Sequence, residues 1–558
     1  MVKCCFFHKF TPKFIPIKMK NVILLLSVFS FLNFLSPQAV NGQKSELSSD
    51  FHSERRQQLR EKLPNNSVAV FFSSPVRNRA NDVDFEYHPD PNFYYLTGWN
   101  EPHAVLLLFS TPQIDELGSY FEKLYVRERD ARNEMWNGRR LGVAGALTMG
   151  FDRVALKELF LTDKHDFNRF DTVFMFDFKN DVRDRSDSSD LFDLQKNFKQ
   201  AINFPENFDP ERYRLYQRIR QAKVSEVPTI KRMIEYYAKS DPSLMEDPVI
   251  QDFITQAEDE ITLTDLKTRT AFLVRDYNFD VDQLGTFMAS LREIKTSEEL
   301  TLLKKAVQIS AQGQREVMKA IKPDMTEREV QGIHQLVYKK YGAAHEGYPS
   351  IVGAGNNACV LHYITNNKTD IKNQLILMDL GAEYNGYTAD VTRTIPVSGK
   401  FTPEQRALYQ IVYDSQTAGI NASQKGASFR EITQASFAVV QEGLLELGII
   451  ESPEEFRKYL PHGVAHHIGL DVHDPGLYEN LETNMVITVE PGIYIPEDSP
   501  CDPKWWNIGI RIEDDILITD AGPINLSADA PRAWEDIEAL MKEKSALDDF
   551  TLPPLKVN

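Results

Sequence analysis

Gln374-Leu375-Ile376-Leu377-Met378-Asp379-Leu380-Gly381-Ala382-Glu383-Tyr384-Asn385-Gly386-Tyr387-Thr388-Ala389-Asp390-Val391-Thr392-Arg393-Thr394 is the stretch on which the reading of this sequence turns. An apolar run leads into Asp379, and a second strand-like run leads away from Tyr387. Asn385-Gly386 between them signals a two-residue hairpin, because both central residues of that turn need positive φ and this pair tolerates it. With those two as the turn, Tyr384 faces Tyr387 and Asp390 lies opposite Gly381. Asp379 shares that face, since strand side chains alternate. The two carboxylates become diagonal neighbours, with backbones about 7–8 Å apart. Like charges this close are costly unless a cation sits between them, so the gap suits metal ions. One solvated acid beside one chance buried acid is the plainer alternative, and the apolar run before Asp379 weighs against it.

Working outward, four capping boxes mark helix starts: Thr296 with Glu299, Thr326 with Glu329, Thr402 with Gln405, and Ser428 with Glu431. Apolar residues follow at helical spacing, as in Leu300, Leu303 and Val307, or Leu408, Ile411 and Val412. Pro403 occupies a first helical position, where its missing N–H costs nothing. Two helix pairs, 296–340 and 402–447, are therefore each followed by a strand-rich segment, 349–397 and 485–520. The half of the chain after about 293 reads as a duplicated helix-helix-sheet unit.

Four of the 12 histidines, His462, His466, His467 and His473, fall in one short segment. His462 and His466 are spaced as in helical zinc sites, but Pro461, Gly463 and Gly469 argue against a helix and the Glu of HExxH is missing, so a strand or loop site is expected. Hydrogen-bonded core histidines remain the alternative. Glu490 ends the apolar strand Met485 to Val489. Arg511 and Glu513 share one strand face, which also fits a simple ion pair. Asp379, Asp390, His466, Glu490 and Glu513 together form an oxygen-rich set with one imidazole. Such a set suits two divalent ions such as Mn, Co, Zn or Fe and points to metal-assisted hydrolysis.

The amino-terminal half mixes buried strands at Val68–Phe72, Ala104–Phe109 and Lys123–Val126 with helices expected over 151–161 and 210–240. Residues 181–190 are polar and read as a loop or insert. Residues 240–290 are acidic and read as the end of the first domain or a connector. Lys+Arg 63 against Asp+Glu 81 gives a net charge of −18, which argues against a nucleic-acid partner. Cys359 and Cys501 show no CxxC spacing and read as small buried hydrophobes. The 14-residue apolar run Val22–Leu35 is shorter than the ~20 residues of a spanning helix. Lys18 and Lys20 precede it and Pro37 to Gly42 follow, the order of a secretory signal peptide over 1–42 with cleavage after Gly42. A retained short membrane anchor is the alternative. The expectation is a secreted or periplasmic protein with no stable membrane anchor.

Val360-Leu361-His362-Tyr363, Met378-Asp379-Leu380-Gly381, Asp390 to Thr394, His462 to Asp474, Val489-Glu490-Pro491-Gly492 and Gly509 to Asp515 resemble the proline-peptidase branch of the pita-bread metallopeptidases, and within it the Xaa-Pro aminopeptidases (aminopeptidase P). The amino-terminal half resembles that family's first domain at Tyr94 to Pro102 and Trp136 to Gly142. The resemblance implies an α+β fold: an α/β amino-terminal domain over 43–290, a pita-bread catalytic domain over 291–526 and a tail over 527–558. It implies that Asp390 and Glu513 bridge two divalent ions, usually manganese, that Asp379 holds one and that His466 with Glu490 holds the other. Glu490 matches the proton shuttle. His362 and His473 match catalytic, substrate-positioning histidines, and His462 and Arg511 match positions behind the ligands or beside the substrate. Proline-containing peptides are the implied partners, in a homo-oligomer. His467 departs from the family, where an aromatic or apolar residue is expected. An Xaa-Pro dipeptidase shares all five ligands; the short connection from Glu490 to Glu513 favours the aminopeptidase. A metal-free pita-bread binding module is a further alternative, disfavoured because all five ligands are kept.

Overall fold

Asn385 and Gly386 adopt φ of 49° and 85°, the two left-handed residues of the expected turn. In the computed structural model, which describes residues 47–163, 165–178, 190–257, 259–273, 277–550 and 552, one register runs through the whole hairpin. Tyr384 pairs with Tyr387 and Glu383 with Thr388. Farther from the turn Asp379 pairs with Thr392 and Leu375 with Pro396. A second hairpin repeats the design: Gly492 pairs with Arg511 and Val489 with Asp514, and that register carried through sets Glu490 against Glu513.

All four capping boxes close reciprocally, at Ser297–Ala320, Glu327–Lys340, Pro403–Ala422 and Phe429–Glu446. A fifth, Ser452 with Glu455, starts a short 3₁₀ turn that sequence reading missed. Each helix pair packs over one hairpin, and a single apolar cluster joins the two units through Val352, Ile376, Ile395, Leu408, Val440 and Ile493. After residue 527, the helix Trp534–Leu540 buries Ile537 and Leu540 in that cluster.

The amino-terminal domain is a six-stranded mixed sheet. Its spatial order is Arg153–Leu156, Gly118–Val126, Val105–Asp115, Ser67–Phe72, Thr172–Met175 and Phe279–Asp280. The expected helix over 151–161 is a correction. Residues Arg153–Leu156 pair in parallel with Lys123–Val126 and only Lys157–Thr162 are helical, because the neighbouring strand offers an unpaired edge that a helix would leave open. Between the last two strands, helices Pro210–Gln221, Val227–Tyr237, Pro248–Gln256 and Glu260–Leu273 gather around their own apolar cluster of Leu215, Ile219, Ile234, Ile250, Phe253 and Leu263. The acidic stretch after 240 is thus part of a helical insert. The leader over 1–42 and most of the polar stretch 181–190 lie outside the described residues; Asp190 caps the helix Leu191–Ala201. No helix among the described residues is long and apolar enough to cross a membrane.

Arg393 ties the catalytic halves together. Its fully buried guanidinium donates to the carbonyls of Thr392, Glu513, Ala530 and Pro531 and to Asp514 Oδ1, at 2.7–3.1 Å. Replacing it strands a buried carboxylate. Arg393→Met should cost about 3–5 kcal/mol in urea unfolding. Arg393→Lys should recover little, since an ammonium lacks the five-donor fork. A loss below about 1 kcal/mol would remove this residue from the stability argument.

Candidate metal centre

Asp379 closes the strand Leu375–Asp379, and Asp390 lies where the returning strand is interrupted between Thr388 and Thr392. Both are buried, and the Tyr348 hydroxyl joins them, 2.5 Å from Asp379 Oδ1 and 2.6 Å from Asp390 Oδ1. No motif marked Tyr348 in the sequence. A phenol has one proton to donate, so it satisfies only one of these oxygens. Gly381 makes room for the ring: a Cβ there would lie 2.5 Å from Tyr348 and 2.0 Å from the Ala389 carbonyl.

The second hairpin supplies Glu490 and Glu513 from opposite strands. Asp390, His466 and Glu513 each offer a ligand atom within 4.8 Å of the others. His466 Nε2 lies 3.6 Å from Asp390 Oδ2 and 3.6 Å from Glu490 Oε1. Its Nδ1 is 3.0 Å from the His467 carbonyl, which assigns the proton to Nδ1 and leaves Nε2 free to bind. Burial lowers the His466 pKa to about 4, so the ring is a neutral donor at pH 7.

Charge is the dominant feature of the site. Burial, then Glu513 and Asp379, pushes Asp390 well above the carboxylate range. Burial and Glu513 do the same to Glu490. Glu513 is raised to about 7, by burial and then by Asp379. Three buried carboxylates, the half-buried Glu490 and one neutral imidazole converge, with Asp390, Glu490 and Glu513 pushed toward holding protons; this donor set fits hard or borderline divalent cations.

Arg511 belongs to this site rather than to a simple strand ion pair: its Nη2 lies 2.6 Å from Asp379 Oδ2, whereas Nε is 3.9 Å from Glu513. Its Nη1 donates to Tyr494 Oη at 3.0 Å, and that oxygen lies 2.9 Å from His462 Nε2. Tyr494 was not singled out in the sequence. It shares the face of Gly492 on its strand, where a Cβ on Gly492 would lie 2.4 Å from the Tyr494 hydroxyl. Thr392 Oγ1 donates to Glu513 Oε2 at 2.6 Å.

His473 stands edge-on to His466, with ring centroids 4.2 Å apart, and its ring is exposed. The loop beneath is anchored by Asp474, which is ion-paired with Arg292 and with Lys295, the latter at 3.1 Å. Burial opposes the Asp474 charge, but those two cations hold its carboxyl below the usual range. His362 follows the 3₁₀ turn Gly355–Cys359 and is exposed. His467 is fully buried between Phe429 and Tyr478, with centroids 4.9 Å away, and neither ring nitrogen has a hydrogen-bond partner. It fills an aromatic slot as a neutral ring, which accounts physically for a histidine where an aromatic residue was expected. Cys359 and Cys501 are unpaired and half-buried.

The comparisons with known proteins agree with this geometry. A profile of metallopeptidase family M24 matches residues 301–520, and a profile of the aminopeptidase P N-terminal domain matches residues 52–159. The Xaa-Pro aminopeptidase of Escherichia coli is 32% identical over 89% of this chain and 98% of its own. Human Xaa-Pro aminopeptidase 3 is 30% identical over 86% of this chain and 81% of its own. The solved structure of proline aminopeptidase P II from Yersinia pestis superposes with a TM-score of 0.69 at 30% identity, covering 89% of this chain and 99% of that one. A buried carboxylate-imidazole centre, the two-domain architecture and near end-to-end similarity lead to one conclusion: the chain belongs to the Xaa-Pro aminopeptidase branch of metallopeptidase family M24 and is a hydrolase.

Proposed function

We propose that this hydrolase is a two-metal exopeptidase that releases the first amino acid from peptides with proline in second position. The observation that carries the reading is the convergence of Asp390, His466 and Glu513 within 4.8 Å, with Glu490 and Asp379 beside them. Asp390 and Glu513 would be shared by both ions, with Asp379 on one side and His466 with Glu490 on the other. Manganese is the metal we propose. A bound pair of divalent ions polarises a carbonyl oxygen and makes water nucleophilic at neutral pH.

The chain's own residues supply the rest. Glu490, raised by its surroundings, holds or gives up a proton beside the reacting bond. His473 and His362, both exposed, are placed to donate to a carbonyl oxygen on which negative charge develops. His462, held by Tyr494, and Arg511, held against Asp379, line the site from the other side. An imide nitrogen carries no hydrogen and the proline ring fixes φ, so selection for proline needs shape rather than a hydrogen bond to that nitrogen. Between Glu490 and Glu513 the chain makes the strands Gly492–Ile495 and Ile508–Arg511 and a connection over 496–507 with one 3₁₀ turn, Pro503–Trp505, leaving little to close over the end of a dipeptide. We place the mature protein outside the cytoplasm, on the strength of the charged, apolar and small-residue order of its leader.

Chelation should lower both activity and melting temperature, and Mn²⁺ should restore both. A ligand of the native state alone adds ~2.7 kcal/mol at a hundredfold excess over Kd. His466→Ala should lose metal and activity together, read by metal analysis and initial rates. Full activity in a demonstrably metal-free preparation would refute the reading.

The raised carboxylates give a pH signature. With Glu513 at about 7, the metal-free native state keeps a proton that the unfolded chain has already released. Its stability should therefore fall as pH rises from the ordinary carboxylate range to about 7. Mn²⁺ affinity should rise over the same interval, with proton release visible by calorimetry in buffers of different ionisation enthalpy. An affinity independent of pH from 5 to 8 would contradict this charge assignment.

Among substrates, Xaa-Pro-Yaa should be cut faster than Xaa-Pro, and replacing proline by alanine should remove most of the rate. A dipeptide kcat/KM tenfold above that of its tripeptide would favour the dipeptidase.

A further inference from the structure

Two buried glutamines occupy equivalent places in the duplicated units. Gln314 lies six residues before the end of Ser297–Ala320, and Gln416 lies six before the end of Pro403–Ala422. Both are fully buried. The Gln314 amide nitrogen donates to the Met378 carbonyl at 3.0 Å and to the Val391 carbonyl at 2.8 Å. Met378 directly precedes Asp379, and Val391 directly follows Asp390. The Gln416 amide nitrogen donates to the Val489 carbonyl at 3.0 Å and to Asp514 Oδ2 at 2.9 Å. Val489 directly precedes Glu490, and Asp514 directly follows Glu513. Each amide therefore touches the immediate chain neighbours of two acids, one on each strand of its hairpin.

The chemistry of the amide explains the choice of residue. Its nitrogen carries two hydrogens in a fixed plane, so one side chain can hold two acceptors at a set separation. The acceptors also settle its orientation, since the flipped amide would set oxygen against oxygen. Gln416 Oε1 accepts from Arg532 Nη1 at 3.1 Å, whereas Gln314 Oε1 is buried with no hydrogen-bond partner. Leaving a buried carbonyl unpaired is unfavourable, and Gln314 keeps its two donor contacts despite it. Both sets of acceptors flank the point where a ladder stops: Asp379 ends one strand segment, and Val489–Asp514 is the last pair of another before Glu490 and Glu513.

We infer that Gln314 and Gln416 are matched positioning residues: each holds the two strands of one hairpin at the separation that lets its carboxylates share metal ions. The inference rests on the metal centre proposed above. Because Gln314 serves the side of Asp379 and Gln416 the side of Glu490, each governs a different ion.

The test is Mn²⁺ titration into the metal-free full-length protein, followed by calorimetry, for Gln314→Met, Gln416→Met and Gln314→His. Methionine keeps the length and removes the donors, and histidine keeps one N–H. Each Met variant should raise the Kd of one binding step about tenfold, a different step in each, as supports of metal ligands typically do. Gln314→His should stay nearer the wild type, and it is the variant to use should Gln314→Met not fold. The metal-free melting temperature, read alongside, separates positioning from mere packing. Lower melting temperatures with both Kd values unchanged would overturn the inference, as would both variants moving the same step equally. A wild type that takes up no divalent ion would sink the proposed centre and this inference together, whereas variants that bind as the wild type does sink this inference alone.

Discussion

Four carboxylates packed against one another, three buried and Glu490 half-buried, are the constraint around which the catalytic domain is built. Asp379, Asp390, Glu490 and Glu513 meet with Arg511 as the one permanently charged partner among the described residues, and its guanidinium lies 2.6 Å from Asp379. Such a cluster would relax into solvent if its strands could move. They cannot, because each acid sits at or beside the end of a strand whose other residues are sealed in the core. Asp390, Glu490 and Glu513 respond by rising in pKa, and the same rise marks them as sites where a cation can replace protons.

Duplication explains how one chain assembles this. Each unit contributes a helix pair, a hairpin and two acids from the point where the hairpin's ladder is interrupted. At that point the backbone stops satisfying itself, and side chains from elsewhere take over: Thr392 on Glu513, Tyr348 on Asp379 and Asp390, Arg393 on the Glu513 carbonyl.

The amino-terminal domain contributes through the chain that leaves it. Arg292, at the end of helix Gln283–Arg292, pairs with Asp474 and donates to Asn92 Oδ1 at 2.7 Å, and Lys295 reaches the same carboxylate. The His467 carbonyl receives both the Asp474 N–H and His466 Nδ1. One buried ion cluster thus holds the loop that carries His466 and His473, and it couples that loop to the domain boundary.

Local chemistry was legible in the sequence. Capping boxes, the Asn385-Gly386 turn and the alternation around Asp379 and Asp390 all act within a few residues, where propensity and register decide the outcome. That is why four helix starts and the first hairpin's register could be read before any coordinates. The long-range partners could not. Arg511 fitted an ion pair with Glu513 two residues away, yet it lies closer to Asp379, 132 positions off. Tyr348, Tyr494 and the two glutamines carry no motif, because their role is set by which acceptor faces them after folding. Residues 153–156 follow the same rule: a helical pattern became a strand because a neighbouring edge needed pairing. The sequence by itself determined the elements and the acids, whose local signals depend on nearest neighbours; only the tertiary structure decided which side chains hold those acids apart, since that depends on distances no spacing along the chain encodes.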